Sequence, residues 1–580
     1  MGNKQSLQSN FKTQKSITST SGSGGQELKE LDLTGGYSQK VIVIPDEADQ
    51  KSEPKEKWSY GIDFILAALG DAIGFGNLWR FPYKMHQHGG ITFLIPYFFF
   101  LIILGLPLFF IELVLAQYVS YGSTKIYGAM SPLFIGLGYT MIAMTTCFAL
   151  YYNIISSWCI FYFFASFQNP LPWNGTDSEQ YFVSDVLQME KDTAWYNFGS
   201  LHWELVLCLL AAWVIIAVVS SKGLHQARWM LKFNTLYPFL LTMTLCIIGL
   251  SKPGGTDGVL TAFTFEKEKL FQTTLLKDAA VQVIFSLGIG LGNLANFARF
   301  NDYKNNCLRD AIMVIAGDTL ASIVAGITVY AFVGFMKHPI QEIDGPTLTF
   351  SVMMKDLNII GQDMPYVSQL LTAMFSIMLL TIGMHSMFSN IFNIKYALLD
   401  QCKPLRRYRI QLTFGLCAFF FLLGLPYCAS GGYQLFLVMD NSVIGNNAIF
   451  VALLELILVG WVFGIKNFMD CVSKMEIQLK SSTKWYFHAC IRYVCPFTLA
   501  MLLVMALIDN INNYQYVEMK IFNKTIQLKE AEPLVWMVQV FTLSFIPIMA
   551  IWKTWQSRNS SKSLFRPTAQ WVPADEVVGF

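Results

Sequence analysis

Charge is what this sequence has least of. Asp, Glu, Lys and Arg make up 14% of its 580 residues, against 54% hydrophobic and 15% aromatic. That balance excludes a soluble globular domain and points to a polytopic membrane protein. Acidic and basic residues nearly cancel, leaving a net charge of +2, so nothing in the charge suggests a nucleic-acid partner. Residues 1–57 lack any apolar run and are rich in Ser, Gly, Lys and Gln, which predicts a disordered cytosolic tail. They also lack a signal peptide, so the first span is expected to act as the insertion signal. Outside the candidate ion site, no nucleophile, base and orienting group occur together, and no enzyme is expected.

Long apolar runs are what the chain does have. Runs of about twenty residues give twelve expected spans, at 59–83, 91–119, 137–167, 203–220, 231–250, 279–300, 311–335, 365–399, 410–427, 447–465, 489–508 and 533–555. An even number returns both termini to one side. Lys222, Arg228 and Lys232, then Lys403, Arg406, Arg407 and Arg409, make that side the cytosol by the positive-inside rule. The expected domains are the tail 1–57, a membrane domain 58–555 and a cytosolic tail 556–580. Two glycosylation sequons, at Asn174 and Asn523, fall on loops that this topology makes extracellular. The opening Met1-Gly2-Asn3-Lys4-Gln5-Ser6 fits the myristoylation pattern with Gly2 as acceptor, although a polytopic protein needs no lipid anchor and so short a pattern also arises by chance.

Two spans are interrupted in the same way. ALGDAIGFGNLWRFPY, residues 68–83, carries three glycines, each costing a helix about 1 kcal/mol relative to Ala, together with Asp71, Asn77 and Arg80. An ionisable residue inside a membrane is costly enough to be read as part of a site. A helix broken near 72–76 would turn unpaired carbonyls and amides toward a cavity, making ligands for a cation and a small polar solute. VQVIFSLGIGLGN, residues 281–293, repeats the pattern. Glycines also allow close helix packing. Paired Gly-interrupted spans in two halves of a chain nevertheless mark a transporter site at the midplane.

The strings GFGNLWRFPY, GGITFLIPYFFF, GLPLFFIELVLAQY, FALYYNIISSW and FSLGIGLG resemble the neurotransmitter:sodium symporter family, over residues 58–555. The resemblance implies an all-α integral membrane fold of about twelve transmembrane helices, in two inverted five-helix repeats (LeuT-like) with helices 1 and 6 broken. It implies a sodium-coupled symporter of amino acids or related small amines, working by alternating access in the plasma membrane. A first sodium would bind the Ala72 carbonyl, Asn77, Ser286 and Asp318. A second would bind carbonyls of Gly70, Ile73 and Ile382 with Ser386 and the side chain at His385. The solute would meet Asp71, Ala72, Gly74, Phe75, Gly76, Phe148, Tyr152, Phe285, Ser286, Leu291, Ser386 and Asn390. Chloride, where used, would bind Tyr97, Gln282, Ser286 and Ser322. Arg80 and Asp440 would form an outer gate above a lid of Tyr151 and Phe285, and Lys55 with Asp400 an inner one. The loop disulfide usual in animal members is absent, because 168–202 holds no cysteine.

Three departures from the family pattern matter. Monoamine members carry Asp at the position of Gly74, so Gly74 favours an amino acid, as does the run 386–390. Asp71 is open to two readings, a cation ligand or a buried neutral carboxyl. Asp318 stands where the family usually has Asn. Two negative charges about 4 Å apart repel by roughly 4 kcal/mol at an effective dielectric of 20, so Asp318 is expected to replace chloride. His385 stands where Asp or Thr is usual. Its ring either donates, protonated, to the carbonyls of Gly70, Ile73 or Ile382, or turns into packing. Either way one coupled sodium is expected, with pH sensitivity in the first case. These departures also keep open a different class of function, a transport-inactive solute sensor or scaffold on the same fold.

Overall fold

The structure, a computed structural model, describes residues 56–175, 178–190, 195–336, 345–362, 364–513, 518–521, 524–558 and 563–577. The chain divides into Met1–Lys55, outside the described residues, and Glu56–Phe580. Gly2, Lys55 and Asn523 therefore lie outside the description. Among the described residues, ten helices are long and apolar enough to cross a membrane, at Ile91–Val119, Pro132–Ala165, Trp203–Ser221, Arg228–Ser251, Cys307–Met336, Val367–Gln401, Lys403–Cys428, Gly432–Val462, Ser481–Ala506 and Lys529–Ser557. The two interrupted segments complete twelve. The fold is helical, with one small hairpin pairing Glu518–Ile521 and Lys524–Gln527. All eleven cysteines are free.

Span 10 corrects the sequence expectation, beginning at Gly432 instead of 447. Asp440, Asn441 and the Gly445-Asn446-Asn447 run break up its apolar stretch, and the helix still continues through them with a bend at Ile444.

Span 1 runs Gly61–Ala72, breaks at Ile73 in extended backbone, and resumes as a π-helical turn Gly76–Arg80 leading into Phe81–Gln87, bent by 53°. Asn77 organises the restart: its Oδ1 accepts from Gly74 N–H at 3.0 Å, satisfying a donor the broken helix cannot. Gly76 must be glycine because a Cβ there would come within 2.8 Å of the Phe285 ring.

Span 6 consists of Thr273–Ser286 and Asn293–Ala298. Between them Gly288, Gly290 and Gly292 take φ of +63°, +81° and +80°, the left-handed region that only glycine enters without a steric penalty. Backbone groups freed in this way need buried partners. Glu112 Oε1 accepts from Gly290 N–H at 2.7 Å, while Thr145 Oγ1 and Asn393 Nδ2 each donate to Leu291 O at 2.9 Å.

Candidate functional site

Every residue expected around the solute lines one small cavity of about 50 Å³ between the two breaks, joined there by Asn77, Gly288, Asn293 and Ile444. Its polar groups fall into two sets. At Gly74, a Cβ would stand 3.9 Å from the Gly76 amide nitrogen, 3.9 Å from the Tyr152 hydroxyl and 4.0 Å from Ser386 Oγ, so three hydrogen-bond donors converge there. The other set surrounds Asp71, whose carboxylate lies beside Ser389 and Asn293 and opposite Gly288. Aromatic rings form the walls: Tyr152 stacks on Phe148 at 4.3 Å, and Phe75 stacks on Trp79 at 4.5 Å.

Beside the cavity a polar cluster ties span 1, span 6 and span 7 (Cys307–Met336) together. Asn77 Nδ2 donates to Asp318 Oδ1 at 2.7 Å and to Ser322 Oγ at 2.8 Å, and Ser286 Oγ reaches both Asp318 oxygens at 3.0 and 2.9 Å. Tyr97 comes to the same place, near Ser322 and Asp318, and Gln282 donates to Gly76 O at 3.3 Å. Asp318 is wholly buried, and among the described residues no cationic side chain pairs with it. A buried carboxylate in that position calls for a compensating cation. The donor set of carboxylate, hydroxyls and amide suits a hard one such as sodium.

The second expected cation position looks different. His385 is wholly buried, and its ring lies so close to Gly70 that a Cβ there would be 2.1 Å from Cε1. Nε2 bonds Ala67 O at 3.0 Å. A carbonyl only accepts, so Nε2 carries the proton. The ring thus donates to Ala67 and to none of the three carbonyls anticipated from sequence. Nδ1 has no partner. Ser386 Oγ lies 3.5 Å from Ile382 O.

The two ends of the bundle are closed by different means. On one side, Arg80 lies 4.5 Å from the Phe285 ring centre and Tyr151 donates to Asp440 at 3.0 Å; no direct Arg80–Asp440 ion pair forms among the described residues. Nearby, Asp278 accepts from Lys84 and His88, both at 2.8 Å.

On the other side, Asp400 takes a two-pronged fork from Arg299, at 2.7 and 3.1 Å. Lys55, the expected partner, is outside the description. Arg299 joins a row of asparagines leading back to the cavity: it approaches Asn296 at 3.4 Å, Asn296 donates to Asn393, Asn393 donates to Asn293 at 2.9 Å, and Asn293 donates to Asn390 at 3.0 Å. The segment before span 1 latches here through Trp58, whose indole donates to Phe297 O at 2.9 Å. Sequence reasoning missed Arg299, the asparagine row and the buried Glu112. The available signal was two Asn pairs spaced i,i+3 within apolar runs, each presenting both members on one helix face.

A family profile described as "Sodium:neurotransmitter symporter family" matches residues 55–179 and 174–557. The chain is 29% identical to a sodium-dependent dopamine transporter of Bos taurus, covering 90% of this chain and 78% of that one. It is 30% identical to a sodium- and chloride-dependent neutral and basic amino acid transporter B(0+) of Mus musculus, covering 90% of each. In fold it is similar to MhsT, solved in complex with L-phenylalanine, with a TM-score of 0.64 at 19% identity over 78% of this chain and 100% of that one.

Proposed function

The chain belongs to the sodium:neurotransmitter symporter family, whose members couple solute transport to sodium, and from that premise we propose a secondary symporter of amino acids or related small amines that uses one sodium and no chloride. The observation that carries this reading is the Asn77–Ser286–Asp318–Ser322 cluster at the helix breaks. A sodium ion entering there replaces amide and hydroxyl hydrogens as the partner of Asp318. It links the two broken spans to span 7, so ion and solute together bias the equilibrium between outward and inward states. Asp318 supplies the fixed negative charge that chloride would otherwise bring, beside the chloride ligands Tyr97, Gln282, Ser286 and Ser322. His385 occupies the second cation position with a ring that offers one nitrogen acceptor where sodium prefers oxygen.

This reading places the protein in the plasma membrane with both termini cytosolic. Arg80, Asp440 and Tyr151 then face outward and Arg299 with Asp400 inward. Asn174, exposed in the loop after span 3 (Pro132–Ala165), would be glycosylated, as would Asn523. Purified protein in sealed vesicles tests the assignment. A symporter concentrates radiolabelled amino acids or amines above the outside level when sodium is high outside. Saturable binding without accumulation would instead identify a sensor or scaffold.

A further inference from the structure

The cavity holds an acid that sodium coupling does not use. Asp71 lies on its wall, inside a membrane-spanning helix, and none of the lining residues is Lys, Arg or His. A carboxylate has about four lone-pair sites, and the side chains beside this one, Ser389 and Asn293, are neutral. Glu112, on span 2 (Ile91–Val119), adds a second carboxyl close enough to act on Asp71 through space. Meanwhile the donors at Gly74, namely the Gly76 amide, Tyr152 and Ser386, make a place for an anion. One cavity therefore presents an anion-binding end and a cation-binding end. Three residues separate Asp71 from Gly74, at least about 4.5 Å along the chain even in helical geometry, and the extended backbone at Ile73 lengthens that. The ammonium of an α-amino acid, two bonds from its carboxyl carbon, stays beside the anion end.

We propose that Asp71 is a cation subsite, and that the transported solute carries an ammonium or guanidinium group set apart from its carboxylate, as in an ω-amino acid or a basic amino acid. This rests on the symporter reading above and specifies its substrate class. Asp71 reads the distal charge because no other group in the cavity can pair with it. An uncharged side chain of equal length would leave the carboxylate dry and unpaired, the costlier state for a buried charge.

Pairs of solutes differing in whether an ammonium stands apart from the carboxylate provide the test. Sodium-driven uptake into vesicles is measured for radiolabelled lysine against norleucine, and for 4-aminobutanoate against its positional isomer 2-aminobutanoate. Wild-type protein is expected to favour the member with the distal ammonium at least tenfold in both pairs. Asp71→Asn should bring each ratio to one or below, and Asp71→Glu should restore part of the preference. Equal handling of each pair by the wild type, or an unchanged ratio in Asp71→Asn, overturns the proposal. If Asp71→Asn does not reach the membrane, the wild-type ratios decide alone. If the wild type accumulates nothing, the symporter reading fails. The subsite is then decided by ligand-induced thermal shift of the purified protein, where lysine but not norleucine should stabilise it, and a response to norleucine equal to that to lysine overturns it.

Discussion

The two ends of the cavity are built from different materials. At one, Arg80 rests on the Phe285 ring and one phenol, Tyr151, reaches Asp440. At the other, a guanidinium grips a carboxylate with two bonds and four asparagines continue the contact to the cavity wall. Charge-assisted forks are roughly twice as strong as neutral hydrogen bonds, and a cation over a ring adds about 0.5–2 kcal/mol. The difference teaches that the Arg299 end is tied by the stronger polar contacts. On the symporter reading proposed above, alternation has to break that row.

The strongest way to break the contrast is Arg299→Ala. The side chains of Arg299 and Asp400 are only 11% and 6% exposed, so the change strands a buried charge, at a cost of about 3–5 kcal/mol. Uptake should collapse and the unfolding temperature should fall, whereas Arg299→Lys, which keeps the charge and loses the fork, should do markedly less of both. Equal effects of the two variants would mean the fork geometry is irrelevant.

Next in size is the outer rim. Asp278→Asn gives up charge-assisted bonds from Lys84 and His88, worth about 1.5–3 kcal/mol each before solvent screening. Thermal denaturation at neutral pH should separate wild type from Asp278→Asn, and equal unfolding temperatures would show that these bonds add nothing to stability.

Asn393→Leu sharpens the comparison further. It removes a donor from Leu291 O, which keeps Thr145, and leaves Asn293 Oδ1 without its partner, costing about 1–3 kcal/mol. If the asparagines act with Arg299 as one unit, Asn393→Leu and Arg299→Lys will be non-additive by at least about 0.5 kcal/mol. Strict additivity would make the row mere filling. The smallest effect is expected outside: Tyr151→Phe loses one hydrogen bond to Asp440, about 1 kcal/mol, and should raise the apparent KM for solute more than it lowers stability.

Much of this architecture is legible from local signals. Apolar runs locate eleven of the spans closely, because a lipid-spanning helix must satisfy its backbone within itself. Alternating glycines locate both breaks: in span 6 three of them take the left-handed region that only glycine enters without strain, and in span 1 Gly76 makes room for the Phe285 ring. The start of span 10 escapes because Asp440 and its polar neighbours lower local hydropathy, although the helix continues through them. The inner pair escapes for another reason. Arg299 and Asp400 meet across 101 residues, and no periodicity within one helix says which face of a distant helix will oppose it. Likewise, Asp318 is conspicuous as an acid in an apolar span, whereas the side to which His385 donates depends on the placement of Ala67, a residue with no chemical signal of its own.

The claim that one ion at the Asp318 cluster drives the cycle without chloride is tested most directly by initial uptake measured against sodium concentration at constant ionic strength, in chloride and again in gluconate. A hyperbolic curve with a Hill coefficient near one, the same in both anions, is the predicted result, with Asp318→Asn acquiring a requirement for chloride. A Hill coefficient near two, or wild-type uptake that collapses in gluconate, would contradict it.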